Sequence, residues 1–255
     1  MDSFQGMTNE VFMQFDPKKV AVLGGGHVAH WMAADLASRG FKVNMFEMPE
    51  FKRNLSMLFE TKTIEIDGCI KGRYTLKKVT SDIHEAINGV RYILIVTPAF
   101  AHKAYANLLK GKTDSRNQII ILYPGAFAGL LFKAVFGDDC PVIAEANNLP
   151  YDTRLVEPGR VMLYGFNDIN IAFMPASQGE ALFEQVKALH PFVRMYDDVL
   201  EASLSIVNPT FHAGLCLFSI NDIENWPKRP FFLYEHGVTP SSVKMNIVLD
   251  NERKA

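Results

Sequence analysis

Cysteine is scarce in this 255-residue chain, and neither sign of charge dominates it. The three cysteines, Cys69, Cys140 and Cys216, are scattered and form no CxxC pair. That excludes a disulfide framework and a thiolate zinc site, and it fits a reducing, cytoplasmic setting. His27, His30, His84, His102, His190 and His236 show no metal-ligand spacing, so no metal is expected. A formal net charge of −2 leaves no basic excess for a polyanion, which excludes nucleic acid as a partner. No stretch reaches the ~18 consecutive apolar residues of a membrane span. The opening MDSFQGMTNE carries an acid and no apolar run, and reads as no signal peptide. With 48% hydrophobic and 21% charged residues, the composition is that of a soluble globular protein of one large or two modest domains.

What the chain does have is alternation. KKVAVL (18–23), FKVNMF (41–46), RYILIVT (91–97), QIIILY (118–123), PVIAEA (141–146), VMLYG (161–165) and INIAFM (169–174) read as short buried strands. Residues 27–39 read as a helix, with Val28, Met32 and Leu36 recurring every four positions. This repetition predicts an α/β fold, a Rossmann-type doubly wound and mostly parallel sheet with helices on both faces. After about residue 176 the pattern becomes helical. Residues 178–189 form one expected helix. A long one follows from Val199 to Asn225, with a stripe of Leu200, Leu204, Val207, Phe211, Leu215 and Phe218. PKRPFF (227–232) interrupts it before another helix start. The expected division is 1–185 for the sheet domain and 186–255 for a helical one.

VLGGGHVAHWMAADLASRGFKVNMFE contains Gly24-x-Gly26-x-x-Ala29. The pattern follows a buried strand, opens an amphipathic helix and leads to a second strand, which is the context of a dinucleotide site. Gly24 permits the tight turn, Gly26 lets a phosphate approach the backbone, and Ala29 lets the helix pack on the sheet. The first helical residues, His27, Val28 and Ala29, offer free N–H groups and a partial positive charge to a pyrophosphate. The plainer alternative is a glycine-rich turn without a ligand. Glu47 ends the second strand, where a carboxylate accepts hydrogen bonds from the adenosine ribose and repels a 2′-phosphate. NAD is therefore the expected cofactor and NADP the alternative, with Lys52 and Arg53 just beyond to soften the preference. Thr97 and Pro98 close a strand at the edge of the expected ligand crevice. Pro98 also reads simply as a strand terminator.

One histidine interrupts the apolar run NPTFHAGLCLF (208–218). On the residues alone His212 reads as either a core or a catalytic residue. It neighbours Phe211 on the apolar stripe but shares a side with Ser205, Asn208, Cys216 and Ser219, a narrow polar strip. Asn208-Pro209 reads as a helix cap followed by proline at the first position, which sets His212 near the first turn. A histidine there titrates near neutrality and can donate and accept a proton.

IAEANNLPYDTR (143–154) resembles the E-x-x-x-L-P-Y-x-x-R segment of opine dehydrogenases, the octopine/nopaline dehydrogenase family. VLEASLSIVNPTFHAG (199–214) is similar to the start of that family's helical domain, including its Asn-Pro-x-x-His. IEN (223–225), FLYEHGVTPSSV (232–243) and LDNER (249–253) resemble its later pattern. The resemblance implies a Rossmann domain followed by an all-helical substrate domain. It implies reductive condensation of an amino acid with a 2-oxo acid such as pyruvate, through an imine, with NADH or NADPH. The family's catalytic histidine falls on His212. In this frame Arg154 is the candidate clamp for a substrate carboxylate, because guanidinium pairs with carboxylate bidentately. Glu145 is the candidate partner of a cationic amino acid, and Asn208 joins them as a substrate-binding candidate.

The family's helical domain continues past its LDNER-like segment and supplies an aspartate to the catalytic histidine, whereas this sequence ends at Ala255. A shortened helical domain is therefore expected, with slow turnover and a partly uncovered apolar stripe that favours a homodimer. Two other readings stand beside this one. The first is a reductase acting at the CH–OH of a 2-oxo or hydroxy acid, and the second is a non-catalytic nucleotide-binding protein.

Overall fold

The computed structural model describes residues 15–255; MDSFQGMTNE, read above for targeting, lies outside the described residues. The strands are β1 (Asp16–Leu23), β2 (Lys42–Phe46), β3 (Thr63–Gly68), β4 (Gly72–Thr75), β5 (Lys78–Thr80), β6 (Val90–Ile95), β7 (Ile119–Leu122), β8 (Val142–Ala146), β9 (Tyr151–Glu157), β10 (Arg160–Phe166), β11 (Ile169–Met174) and β12 (Val193–Met195). The helices are α1 (His27–Ser38), α2 (Ser56–Thr61), α3 (Ile83–Ile87), α4 (His102–Leu109), α5 (Ala128–Phe136), α6 (Gly179–Lys187), α7 (Val199–Leu204), α8 (Asn208–Phe218), α9 (Ile220–Glu224), α10 (Leu233–His236) and α11 (Pro240–Lys254).

The apolar runs become strands buried on both faces. In β1, Val20 and Val22 enter one core cluster and Ala21 and Leu23 the other. Tyr92 and Leu94 of β6 oppose Ile93 and Ile95 in the same way, as Ile119 and Ile121 of β7 oppose Ile120 and Leu122. A strand with two apolar neighbours has no polar face to show, so these segments read as continuous runs. Eight strands form one sheet in the order β12-β11-β8-β7-β6-β1-β2-β5. Every pairing in it is parallel except that of β8 with β11. The chain runs outward from β1 to β2 and β5, then returns to β6 on the other side. The topological switch point therefore lies between β1 and β6, outside their carboxyl ends.

A second sheet, of order β4-β3-β10-β9, covers α1. VMLYG was expected in the main series, and its strand β10 belongs instead to this smaller sheet. There buried Val161 and Leu163 alternate with more exposed neighbours, as a sheet with one apolar face requires. Packed between two sheets, α1 buries Val28, Ala29, His30, Trp31, Met32, Ala33, Ala34 and Leu36, and so is apolar on nearly every side. Helices α3, α4 and α5 contribute to the core on the opposite face of the main sheet through Ile83, Tyr105 and Phe132 among others.

The chain divides into a unit that ends at Ser203 and a unit of Leu204–Ala255. Residues 186–203, expected with the helical domain, belong to the first unit. Val186, Leu189 and Val193 complete its core, and Val199 and Ala202 pack on Ala172. The single long helix expected over 199–225 is three helices, α7, α8 and α9. Pro209 has no N–H, and its ring would clash with the carbonyl of Ser205, so no continuous helix crosses that point. Val207, not Asn208, takes the N-cap position of α8, and Pro209 lies in its first turn. The break also divides the apolar stripe and the polar strip. Leu215 is buried, whereas Leu200, Leu204, Val207, Phe211 and Phe218 are exposed. Within the second unit α8 packs on α11. Gly214 makes the close approach possible, because a Cβ there would lie 3.1 Å from Met245 Cγ. Among the described residues no helix is long and apolar enough to cross a membrane, and no His, Cys, Asp and Glu group could hold a metal.

Candidate active site

The glycine loop lies at the switch point. The Gly24 N–H donates to the Phe46 carbonyl at 2.9 Å, and the Val96 N–H donates to the Leu23 carbonyl at 2.9 Å. Gly24 has φ +125°, and a Cβ there would sit 2.5 Å from the Val96 carbonyl oxygen. Gly25 was passed over in the sequence, although the GGG run held the signal. A Cβ on it would lie 2.7 Å from both Glu47 Oε2 and Asn54 Cβ. Gly26 differs from both: it is exposed, caps α1 in an extended conformation, and a Cβ there would meet nothing within 4 Å. The protein itself requires the first two glycines. At the third, space opens over the N-terminus of α1, where His27 and Val28 begin the helix and Ala29 is packed beneath.

Near this loop Thr97 Oγ1, His102 Nε2 and His30 Nε2 are buried and have no hydrogen-bond partner among the described residues, although His30 Nδ1 lies 2.9 Å from the Gly26 carbonyl oxygen. Burial lowers the His102 pKa, against a hydrogen bond to the Thr97 backbone that raises it. Pro98 is exposed, and its carbonyl accepts the Ala101 N–H in the short turn that leads into α4. Thr97 and Pro98 thus follow the carboxyl end of β6, on the β6 side of the switch point.

Glu47 is only 6% exposed. Its Oε1 accepts the Met48 N–H at 2.9 Å and the Tyr105 hydroxyl at 3.0 Å, and its Oε2 accepts the Asn54 side-chain N–H at 3.2 Å. Lys52 and Arg53 are exposed on the 3-10 turn that follows. At the start of α1, His27 Nδ1 lies 2.9 Å from the buried Thr153 Oγ1 of β9. Burial lowers the His27 pKa, and the charge of Arg154 lowers it further. Arg154 faces solvent, its side chain 67% exposed, and donates to Asp152 at 3.1 Å and to the Thr153 carbonyl at 2.7 Å.

Glu145 requires a correction. It was expected to face a cationic substrate, and it is fully buried in β8. Its Oε1 accepts the Gly129 N–H near the start of α5, and Oε2 accepts the Ser203 hydroxyl at 3.0 Å. Ser203 Oγ in turn accepts the Phe127 N–H at 2.9 Å. Burial raises the Glu145 pKa despite these hydrogen bonds. The carboxylate holds the turn before α5, where Ala126 and Phe127 take positive φ values of 52° and 64°. Its partner Ser203 is far off in the sequence, which is why the segment alone did not reveal this role.

In the second unit His212 is half-buried on α8, not enclosed in a core. Its Nδ1 lies 3.1 Å from the Tyr234 hydroxyl, and its ring packs against Phe211 and Tyr234. Tyr234, at α10, is a second residue that sequence reasoning missed, although it stands inside the quoted FLYEHG. Asn208 opens the same helix and is exposed.

A dinucleotide fits the first unit on three grounds: the open space at Gly26, the orphaned Thr97 hydroxyl, and a strand-end carboxylate beside the loop. Comparison with known proteins agrees. A family model described as "NAD/NADP octopine/nopaline dehydrogenase, alpha-helical domain" matches residues 195–255, and one described as "NAD-dependent glycerol-3-phosphate dehydrogenase N-terminus" matches 19–135. An opine dehydrogenase of Arthrobacter sp. (strain 1C) is 30% identical over 246 residues, covering 94% of this chain and 67% of that protein. A vitopine synthase of Allorhizobium ampelinum is 26% identical, covering 92% of this chain and 66% of its own length. The chain thus spans about two thirds of the length of these relatives. An octopine dehydrogenase solved with NADH and agmatine shares the fold, with a TM-score of 0.71 at 20% identity over 92% of this chain and 62% of that one. By fold, by loop geometry and by sequence, this chain belongs to the opine dehydrogenase family of NAD(P)-dependent dehydrogenases.

Proposed function

We propose that the protein reductively condenses an amino acid with a 2-oxo acid, using NADH in preference to NADPH. The observation that carries this reading is the open N-terminus of α1 at Gly26, beside the buried carboxylate of Glu47, in a chain of this family. The amine adds to the 2-oxo carbonyl and loses water to give an imine, and NADH supplies the hydride that reduces it. The backbone donors of His27 and Val28 bind the pyrophosphate, and Thr97 and Pro98 line the crevice. His212 exchanges the proton at the carbonyl and imine. With Nδ1 engaged by Tyr234, its Nε2 is the nitrogen left for a reactant. Arg154 offers an exposed guanidinium to a substrate carboxylate, and exposed Asn208 lies within a turn of His212.

NADH oxidation with pyruvate across a panel of amino acids tests the reaction, with an amine-free control. Oxidation that depends on the amine is expected. Equal oxidation without amine would identify a CH–OH reductase, and dinucleotide binding without turnover on any pair would favour a nucleotide-binding protein. His212→Ala is expected to abolish turnover while the NADH dissociation constant stays unchanged. The exposed apolar side chains of α7 and α8 support self-association as a homodimer. Light scattering at micromolar concentration checks this, and a monodisperse monomer would contradict it.

A further inference from the structure

Glu47 has less freedom than a strand-end carboxylate usually has. A carboxylate offers about four acceptor positions, two on each oxygen. Both positions of Oε1 are filled, one by the Met48 N–H and one by the Tyr105 hydroxyl. One position of Oε2 is filled by Asn54. The open acceptor position is the second one on Oε2, the oxygen that faces the backbone of Gly25 in the glycine loop. The donors come from separate places: Tyr105 from α4, Asn54 from the 3-10 turn after β2, and Met48 from the residue that directly follows Glu47. Tyr105 is buried, and its ring packs edge-on against Phe46, so its hydroxyl has a fixed origin. Burial and the neighbouring carboxylate hold that hydroxyl protonated, so it donates throughout the working pH range.

We infer that Tyr105, with Asn54, is a positioning residue that sets cofactor preference by turning Glu47 so that Oε2 alone meets the adenosine ribose. This rests on the cofactor reading above and adds residues to it that no glycine-loop pattern contains. A carboxylate pinned at Oε1 accepts one ribose hydroxyl and keeps its charge where a 2′-phosphate would lie. Without the Tyr105 hydroxyl, the carboxylate turns away from the loop. NADH loses its acceptor, and NADPH loses a repulsion.

The test is a titration of both dinucleotides into wild type, Tyr105→Phe, Asn54→Ala and Glu47→Gln. For Tyr105→Phe the ratio of the NADPH to the NADH dissociation constant is expected to fall roughly tenfold, the order of one hydrogen bond to a charged group. Asn54→Ala should move the ratio in the same direction, and Glu47→Gln should move it furthest. A structural role alone would weaken both cofactors by the same factor, or neither, and an unchanged ratio overturns the inference. If Tyr105→Phe does not fold, Asn54→Ala decides by the same criterion. A wild-type chain that binds neither dinucleotide overturns the cofactor reading itself. That result is distinct from an unchanged ratio, in which binding persists.

Discussion

Three consecutive glycines perform three different tasks. Gly24 is needed for its positive φ and for the nearness of the Val96 carbonyl. Gly25 is needed because Glu47 and Asn54 press against it, and Gly26 is needed only if something binds there. Gly24→Ala and Gly25→Ala should each cost about 2 kcal/mol or more in chemical denaturation, from strain and overpacking. Gly26→Ala should leave the denaturation midpoint near wild type and still weaken NADH binding. A Gly26→Ala as destabilised as Gly25→Ala would show that the space at Gly26 is not free. The buried histidines give a second residue-level prediction. Burial brings the His190 pKa down to about 3 and that of His30 to about 4, from 6.5 when unfolded. Both are neutral when folded, so unfolding takes up protons below about pH 6.5. Their contribution is complete above that pH and is lost as pH falls toward the folded values, by about 1.4 kcal/mol per pH unit for each histidine. The raised Glu145 works in the opposite sense, since its contribution is lost as pH rises through its folded value. His190→Gln isolates one group: its stability should fall less steeply than wild type between about pH 6 and pH 4, by about 1.4 kcal/mol per pH unit. Parallel curves would contradict the buried neutral imidazole. The tight turn at Gly24 was legible because its positive φ is set within the glycine pattern itself. Gly25 and Glu145 were not, because the groups that define them, Asn54 and Ser203, arrive from elsewhere in the chain.

At the scale of elements, legibility followed burial. Strands β1, β6, β7 and β8 announced themselves as apolar runs because both of their faces are covered. The smaller sheet was largely hidden, since β3, β4 and β9 are covered on one face only, and the sheet joins two local hairpins, β3–β4 and β9–β10, through the long-range pairing of β3 with β10. Its existence explains α1, whose nearly all-round apolar surface exceeds what a helix on a single sheet needs. Trp31 stands at the centre of that sandwich, wholly buried and edge-on to Tyr151 at 6.0 Å. Trp31→Ala should cost about 3–5 kcal/mol, as for other large-to-small changes in a packed core. A loss below about 1 kcal/mol, measured by urea denaturation, would mean that the second sheet does not press on α1. The helices after residue 198 were read as one because apolar spacing survives a break; Pro209 was the sign that the backbone could not follow.

For the molecule as a whole, the sheet-bearing unit carries the glycine loop and Glu47, and the helical unit carries His212 with Tyr234. Family membership places both within one enzyme class, while the choice of amino acid and oxo acid rests on the substrate panel. We propose that the open N-terminus of α1 receives the cofactor's pyrophosphate. The most direct test is isothermal titration of NADH into wild type and into Gly26→Val, with circular dichroism on both. A Cβ at this position meets no protein atom within 4 Å, and a valine side chain there would occupy the space of the phosphate. The expected result is a folded Gly26→Val protein that no longer binds NADH at concentrations that saturate wild type. A folded Gly26→Val protein that binds NADH as wild type does would contradict it.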